Sequence, residues 1–272
     1  MKTIAVGLSG GVDSAATAFS LLQSGYHVIG VTMKLFEHQD KDIAVAKKIA
    51  LALGIPHVVM DYQKDFEALV IRPFIQAYES GLTPNPCVFC NRALKYGKLI
   101  SDSLALGADG FATGHYVRIH FNPQTKEYEV LKAVHERKDQ SYHFFHLDQR
   151  VLSRLIMPIG MMPSKDAVRK HISGVSFEAA AKKDSMGICF IPHGNHALYL
   201  KQHKSSAMQA GLFVDKNHKR LGTHLGIAGY TIGQKRRLGP DLSGKYVVTK
   251  ICPKTNTISL GNEQDLLTHK IS

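Results

Sequence analysis

The opening of the chain constrains its fold more than any other feature. Residues 3–8 are an apolar run of strand length, Ser9-Gly10-Gly11 follows, and residues 12–23 have helical composition. The alternation then repeats: a strand at 27–33, a helix at 42–53, a strand at 57–61, a helix at 91–106 and a strand at 110–113. Between them, residues 66–78 form an amphipathic helix with Phe66, Leu69, Val70, Phe74 and Ala77 at helical spacing. Strands and helices joined by short connections predict right-handed crossovers and a parallel sheet covered on both faces. A hairpin is expected across 116–134, turning near Asn122-Pro123. After about residue 150 the pattern changes. Helices are expected at 151–156, 165–171 and 195–203, then glycine-punctuated strands at 211–214, 229–232, 246–251 and 257–260. The expected fold class is α/β, a parallel-sheet domain over 1–150 followed by a helical connection over 151–210. A second, smaller mixed α+β domain, rich in strands, then spans 211–272.

At 272 residues, with 44% hydrophobic and 21% charged side chains, the chain can bury a sizeable core. No apolar run approaches the roughly 20 residues that cross a bilayer. The N-terminus lacks the apolar stretch and cleavage site of a signal peptide, so the expected location is cytoplasmic, with no membrane partner. Charge is unevenly divided. Residues 1–136 carry 13 basic and 13 acidic side chains, whereas 137–272 carry 21 and 9, so the whole net charge of +12 sits in the second half. Such asymmetry points to a polyanion, nucleic acid being the commonest, with a basic surface kept for solubility as the alternative.

The string Leu8-Ser9-Gly10-Gly11-Val12-Asp13-Ser14 lies where strand passes into helix. Glycines there let the backbone turn tightly and approach a ligand, and the helix N-terminus presents N–H groups to an anion. Ser9 and Ser14 can add hydroxyl donors. Asp13 is out of place beside phosphate unless a cation bridges it, which implies Mg²⁺. The loop has neither the Gly-Lys-Ser/Thr of a Walker loop nor the Gly-x-Gly-x-x-Gly dinucleotide fingerprint.

Four cysteines follow: Cys87, Cys90, Cys189 and Cys252. Cys87-Val88-Phe89-Cys90 is preceded by the stiff Thr83-Pro84-Asn85-Pro86 and leads into the helix expected from Asn91. A thiol at a helix N-terminus has its thiolate stabilised by the dipole. Cys189 stands in an apolar stretch behind Lys182-Lys183. Cys252, before Pro253, is expected to be a buried small hydrophobe. A zinc site would want a second pair of ligands at short spacing, and His143 with His146 is the only close histidine pair near these residues.

Taken together, GLSGGVDS (7–14), TPNPCVFCN (83–91), ATGHY (112–116), KDQSY (138–142), MGICFI (186–191) and YTIGQKRRLG (230–239) resemble the tRNA-specific 2-thiouridylase family, in the family's order and over residues 1 to about 262. The loop itself is similar to the pyrophosphate loop of the ATP pyrophosphatases. The resemblance implies an ATP pyrophosphatase domain over 1–150, a connection over 151–210 carrying the second catalytic cysteine, and an RNA-contacting domain over 211–272. It implies a tRNA-uridine 2-sulfurtransferase that adenylates C2 of the wobble uridine and replaces its oxygen with sulfur. On this resemblance Gly7, Leu8, Ser9, Gly10, Gly11, Val12, Asp13 and Ser14 hold ATP, with Met33 on the adenine and Gly114 lining the pocket. Asn85, Pro86 and Cys87 face the target base. Cys90 is the nucleophile and Cys189 carries the persulfide, supplied by a cysteine desulfurase or a relay protein. His115, Lys138, Asp139 and Gln140 approach the tRNA.

The residue types suit that chemistry. Adenylation makes a good leaving group of a pyrimidine carbonyl oxygen, and two thiols allow a sulfur relay. A base inside an anticodon must be flipped out to react, and the basic half can hold the phosphates. Two departures stand out. Many members carry Asp where this chain has Cys87, and three thiols could alternatively ligate a [4Fe-4S] cluster through Cys87, Cys90 and Cys189. The resemblance also runs out at Gly261-Asn262-Glu263, before the C-terminal β-barrel with which family members continue, so a different RNA or a small-molecule substrate stays open.

Overall fold

The computed structural model describes residues 1–174, 187–191 and 194–267. The chain falls into two compact units that interleave in sequence. One comprises residues 1–69 and 87–174; the other comprises 70–86, 187–191 and 194–267. Lys182, Lys183 and Met186 lie outside the described residues.

In chain order the first unit begins β1 (Thr3–Gly7), α1 (Val12–Gln23), β2 (His27–Lys34), α2 (Asp40–Ala52), β3 (His57–Asp61) and α3 (Gln63–Phe66). A π-helical turn at Glu67–Ile71 then leads into α4 (Arg72–Glu79), which belongs to the second unit. The first unit resumes at Cys87, the second residue of α5 (Pro86–Cys90), and continues with a π-helical stretch at Asn91–Lys98 and α6 (Leu99–Ala105). β4 (Gly110–Ala112), the hairpin β5 (Val117–Asn122) and β6 (Glu127–Lys132), α7 (Gln149–Leu152), β7 (Leu155–Ile156) and α8 (Lys165–Ser173) complete it.

The five strands of its main sheet lie in the order β3-β2-β1-β4-β7, all parallel. Ile4 and Val6 of β1, Ala15 and Ala18 of α1, Ile49 of α2 and Val168 of α8 are buried in one core cluster. The chain fills one side of β1 with β2 and β3, then crosses to place β4 and β7 on the other. The carboxyl ends of β1 and β4 therefore flank the point where strand order reverses, which is where open α/β sheets bind ligands.

Three local expectations change. Residues 151–156 are not one helix. Asp148 caps a single turn by accepting from the Val151 N–H at 2.9 Å, and Leu155-Ile156 extends the sheet beside Phe111 and Ala112. The helix expected from Asn91 begins five residues earlier, at Pro86, a residue whose missing N–H suits the first helical position. The strand expected at 229–232 lies instead at β9 (Arg220–His224), and Ile227–Gly229 is a 3₁₀ turn. β9 follows β8 (Gly211–Val214) through a polar turn in which Asp215 Oδ1 accepts from the N–H groups of Asn217 and Lys219. Its half-exposed, polar composition hides it from a hydrophobic reading.

In the second unit α9 (His196–Gln202) follows Cys189 in the chain, and β8 and β9 join β10 (Val247–Cys252) and β11 (Thr257–Gly261) in a mixed sheet ordered β10-β11-β8-β9. Residues 70–86 belong here because Phe74 packs its ring edge-on against Phe190 at 5.4 Å, and Tyr78 stacks on His196 at 5.4 Å. Glu79 Oε1 accepts from Ser205 Oγ at 2.9 Å. Residues 151–174, expected to be a connection, pack in the first unit: α8 lies against α1. Among the described residues no helix is long and apolar enough to cross a membrane.

Candidate functional site

The loop after β1 is held from within. Ser14 Oγ donates to the Gly11 carbonyl at 2.9 Å and accepts from the Ser9 N–H at 3.2 Å, so the two serines serve first to shape the loop. Gly10 adopts φ +73°, and a Cβ there would also come within 2.9 Å of the Asp42 carbonyl. A Cβ on Gly11 would meet only Ser9 Oγ, at 3.3 Å, leaving the approach to the N-terminus of α1 open. Among the described residues nothing accepts from the backbone N–H groups of Gly10 and Gly11. An open, positively polarised cradle of this kind fits a phosphate chain. Gly114, just past β4, closes its other side: a Cβ there would lie 2.7 Å from the Ser14 nitrogen. Met33 is half-buried near the carboxyl end of β2, paired in register with Met60 of β3.

Asp13 is spoken for by two side chains the sequence reading did not connect with it. Tyr116 donates its hydroxyl to Oδ1 at 2.8 Å, and Lys165 donates its ammonium to Oδ2 at 2.7 Å, with the lysine side chain 11% exposed. Lys165 arrives there because Ser164 caps α8, accepting from Ala167, and because α8 runs alongside α1 in the same direction. The pairs Asp13–Lys165 and Ser20–His171 (2.9 Å) lie seven and six residues apart on the two helices. Lys165 therefore balances the charge of Asp13 within the chain itself. The signal that could have revealed Lys165 is the capping serine before a lysine that opens a helix.

Cys87 and Cys90 are both half-exposed, one at the start and one at the end of α5. The helix dipole acts mainly within the first turn, and the early start at Pro86 leaves Cys90 a turn inside. Burial pushes the Cys90 thiol above its ordinary value, the positive charge of Lys95 offsetting only part of the rise. Lys95 Nζ also lies 3.1 Å from His115 Nε2, and His115 Nδ1 lies 3.1 Å from Gln140 Oε1. That oxygen also accepts from the Tyr116 N–H, so His115 donates through Nδ1 and accepts a hydrogen bond from the lysine through Nε2. Burial first, then Lys95, hold His115 well below its ordinary value; it is a neutral ring. His143 and His146 are also held low by burial, reinforced by Lys95 and Arg92 respectively.

Asp139 accepts from the Ala133 N–H at 2.8 Å and from Ser141 Oγ at 2.6 Å, so it shapes its own loop, while Lys138 is exposed. Asn85 and Pro86 end the 70–86 segment of the second unit, to which the exposed Cys189 also belongs, beside the buried Phe190. Cys252 is half-exposed, not buried: it ends β10, where hydrogen bonds from Thr255 draw its thiol below the ordinary value. Among the described residues no three His, Cys, Asp or Glu side chains gather into a metal site.

A family model described as the tRNA methyl transferase HUP domain matches residues 2–193, and one described as the tRNA methyl transferase PRC-barrel domain matches 198–262. The chain is 42% identical over 268 residues to the tRNA-specific 2-thiouridylase MnmA of Desulforudis audaxviator, covering 98% of this chain and 76% of that protein. With the MnmA of Lachnoclostridium phytofermentans it shares 37% identity over 284 residues, covering 100% of this chain and 79% of the relative. Among solved structures, the U34-tRNA thiolase NcsA from Methanococcus maripaludis with its [4Fe-4S] cluster superposes with a TM-score of 0.44 at 18% identity. That superposition covers 76% of this chain and 65% of the other, a likeness too loose to speak to the chemistry. Phosphate cradle, sheet order and matched sequence agree, and the chain belongs to the tRNA-specific 2-thiouridylase family.

Proposed function

We propose that the chain is a tRNA-uridine 2-sulfurtransferase that uses ATP to activate C2 of the wobble uridine and then exchanges its oxygen for sulfur. The observation that carries the first half is the open cradle at Gly10-Gly11, at the reversal point of a parallel sheet and closed by Gly114. On this reading the loop from Gly7 to Ser14 binds the phosphates of ATP, Met33 packs beside the adenine, and Lys165 faces the negative charge that builds as pyrophosphate departs. Magnesium enters with the nucleotide, since Asp13 is already engaged by Lys165 and Tyr116.

Asn85, Pro86 and Cys87 receive the flipped base. The terminal sulfur of a Cys189 persulfide attacks C2 and AMP leaves. The Cys90 thiolate then attacks the Cys189 sulfur, the S–S bond to the transferred atom breaks, and 2-thiouridine is released. The product on the protein is a Cys90–Cys189 disulfide, which an external thiol reduces before a persulfide donor recharges Cys189. His115 and Gln140, hydrogen-bonded to each other, and the exposed Lys138 approach the tRNA.

The test is Cys189→Ser in the full chain. ATP-dependent adenylation of tRNA should persist while 2-thiouridine formation is lost, both read by mass analysis of digested tRNA. Full sulfur transfer by the variant would sink the relay. The cluster alternative is tested on the anaerobically purified protein, where colourless, iron-free, active material excludes it.

A further inference from the structure

One short segment of the first unit is folded inside out. Ser141–Phe144 is a 3₁₀ helix, and Phe145 continues it in helical conformation. With three residues per turn, side chains three apart eclipse, so Tyr142 and Phe145 share one side. The hydrophobic effect would turn these two rings inward and leave the neighbouring imidazoles in water. The chain does the reverse. Tyr142 is 59% exposed and Phe145 75%, while His143 is 9% exposed. Among the described residues, His143 Nδ1 and both ring nitrogens of His146 are buried with no hydrogen-bond partner. Burying an unpaired polar nitrogen costs free energy, so the inverted arrangement works against stability.

The exposed rings stand on a fixed base. Tyr142 and His143 have ring centroids 4.0 Å apart, and His143 is 5.9 Å from His115. Phe144 packs on the buried Tyr96 at 5.1 Å and edge-on to His115 at 5.8 Å. Asp139 holds the start of the turn, accepting from Ser141 Oγ at 2.6 Å and from the Ala133 N–H at 2.8 Å. A stack of rings that begins in the core therefore ends in solvent on Tyr142. Arg137 and Lys138, both exposed, stand just before it in the chain. Asp139, the acidic residue between them and Tyr142, has both carboxylate oxygens engaged within the loop. Cations beside bare aromatic faces suit a partner that carries rings and negative charge on one chain, which is single-stranded nucleic acid.

We propose that Tyr142, with Phe145 on the same side, is a stacking platform for an unpaired base of the RNA substrate. This deepens the function proposed above and rests on its RNA substrate, not on its sulfur relay. A base extruded from a loop leaves its neighbours unstacked, and an aromatic face replaces the lost stacking without reading sequence.

The chain contains no tryptophan, so Tyr142→Trp places a single fluorophore on the platform. This variant is titrated with an unmodified anticodon stem-loop RNA that has uridine at the wobble position. A second titration uses the same loop sequence paired to its complement, which keeps the phosphates and hides the bases. The stem-loop should quench the fluorescence and the duplex should not. Tyr142→Ala should weaken stem-loop binding about tenfold with an unchanged salt slope, since a ring is lost and no phosphate contact. Phe145→Ala should weaken it in the same direction, and Tyr142→Phe, which keeps the ring, should bind as the native chain does. No quenching at saturating stem-loop, or equal quenching by the duplex, overturns the proposal. Unchanged affinity in Tyr142→Ala does the same, even where Tyr142→Trp fails to fold, and assigns the rings to a protein interface instead. If the native chain binds no stem-loop, the RNA reading fails and this proposal with it; if it binds and Tyr142 is indifferent, this proposal alone fails. Binding needs neither ATP nor the cysteines, so failure of the sulfur relay leaves the result readable.

Discussion

Asp13 is an acidic residue in a loop built for anions, and its partners explain how it is tolerated. One carboxylate oxygen accepts from Tyr116 and the other from Lys165, and neither donor lies within a hundred residues of it in sequence. The lysine neutralises the carboxylate and presents a cation at the mouth of the phosphate cradle. Lys165→Met should leave the fold intact at a cost of about 1 kcal/mol, since the pair is only part-buried and solvent screens some of its strength. It should weaken ATP binding at least tenfold, because the freed carboxylate then repels the phosphates. Calorimetric titration with a non-hydrolysable ATP analogue checks this, and unchanged affinity would remove Lys165 from the site. The loop residues and the cysteines were legible in the sequence because they are contiguous strings. Lys165 and Lys95 were not, because one reaches its partner across 152 residues and the other meets His115 only once the chain has folded back.

At the scale of elements, strands and helices of the first unit follow from hydrophobic spacing, and most appear where expected. The departures have local causes. Pro86 starts a helix early, Asp148 caps the start of a helix that lasts a single turn, and Leu155-Ile156 satisfies an open sheet edge beside β4. Gly97 marks the π-helical stretch. Replacing glycine with alanine inside an ordinary helix stabilises it by about 0.5–1 kcal/mol. Here the same change should destabilise, because the new Cβ meets the Arg92 carbonyl at 2.8 Å. Gly97→Ala should therefore lower Tm, and a rise in Tm would show that the stretch relaxes to α-helical pitch without cost.

At the scale of the molecule, five histidines among the described residues are held below their ordinary value of 6.5, each chiefly by burial: His57, His115, His143, His146 and His224. A folded pKa below the unfolded one means that acid protonates the unfolded chain first. Stability from these rings is complete above about pH 6.5 and is lost as pH falls towards their folded values. Tm should hold steady from about pH 8 to 7 and fall between about pH 6.5 and 5; a flat profile over that lower range would contradict the burial of these rings. The charge excess of residues 137–272 adds to the same trend, since further protonation increases repulsion in a chain already at +12.

By itself the sequence determined the parallel α/β architecture, the glycine-rich loop at the first strand–helix junction, the cysteine pair and the basic half. Each depends on neighbours in the chain: alternating apolar runs, glycines at a strand–helix junction, two thiols three residues apart, a local density of lysine and arginine. Tertiary structure decided which charges meet. Only packing of α8 along α1 brings Lys165 to Asp13, only the Gln140–His115 chain aims Lys95, and only the aromatic cluster around Phe74 gathers residues 70–86 with Phe190, the neighbour of Cys189. Electrostatic energy depends on distances of a few ångströms, and sequence separation carries no record of those distances once the chain has folded back on itself.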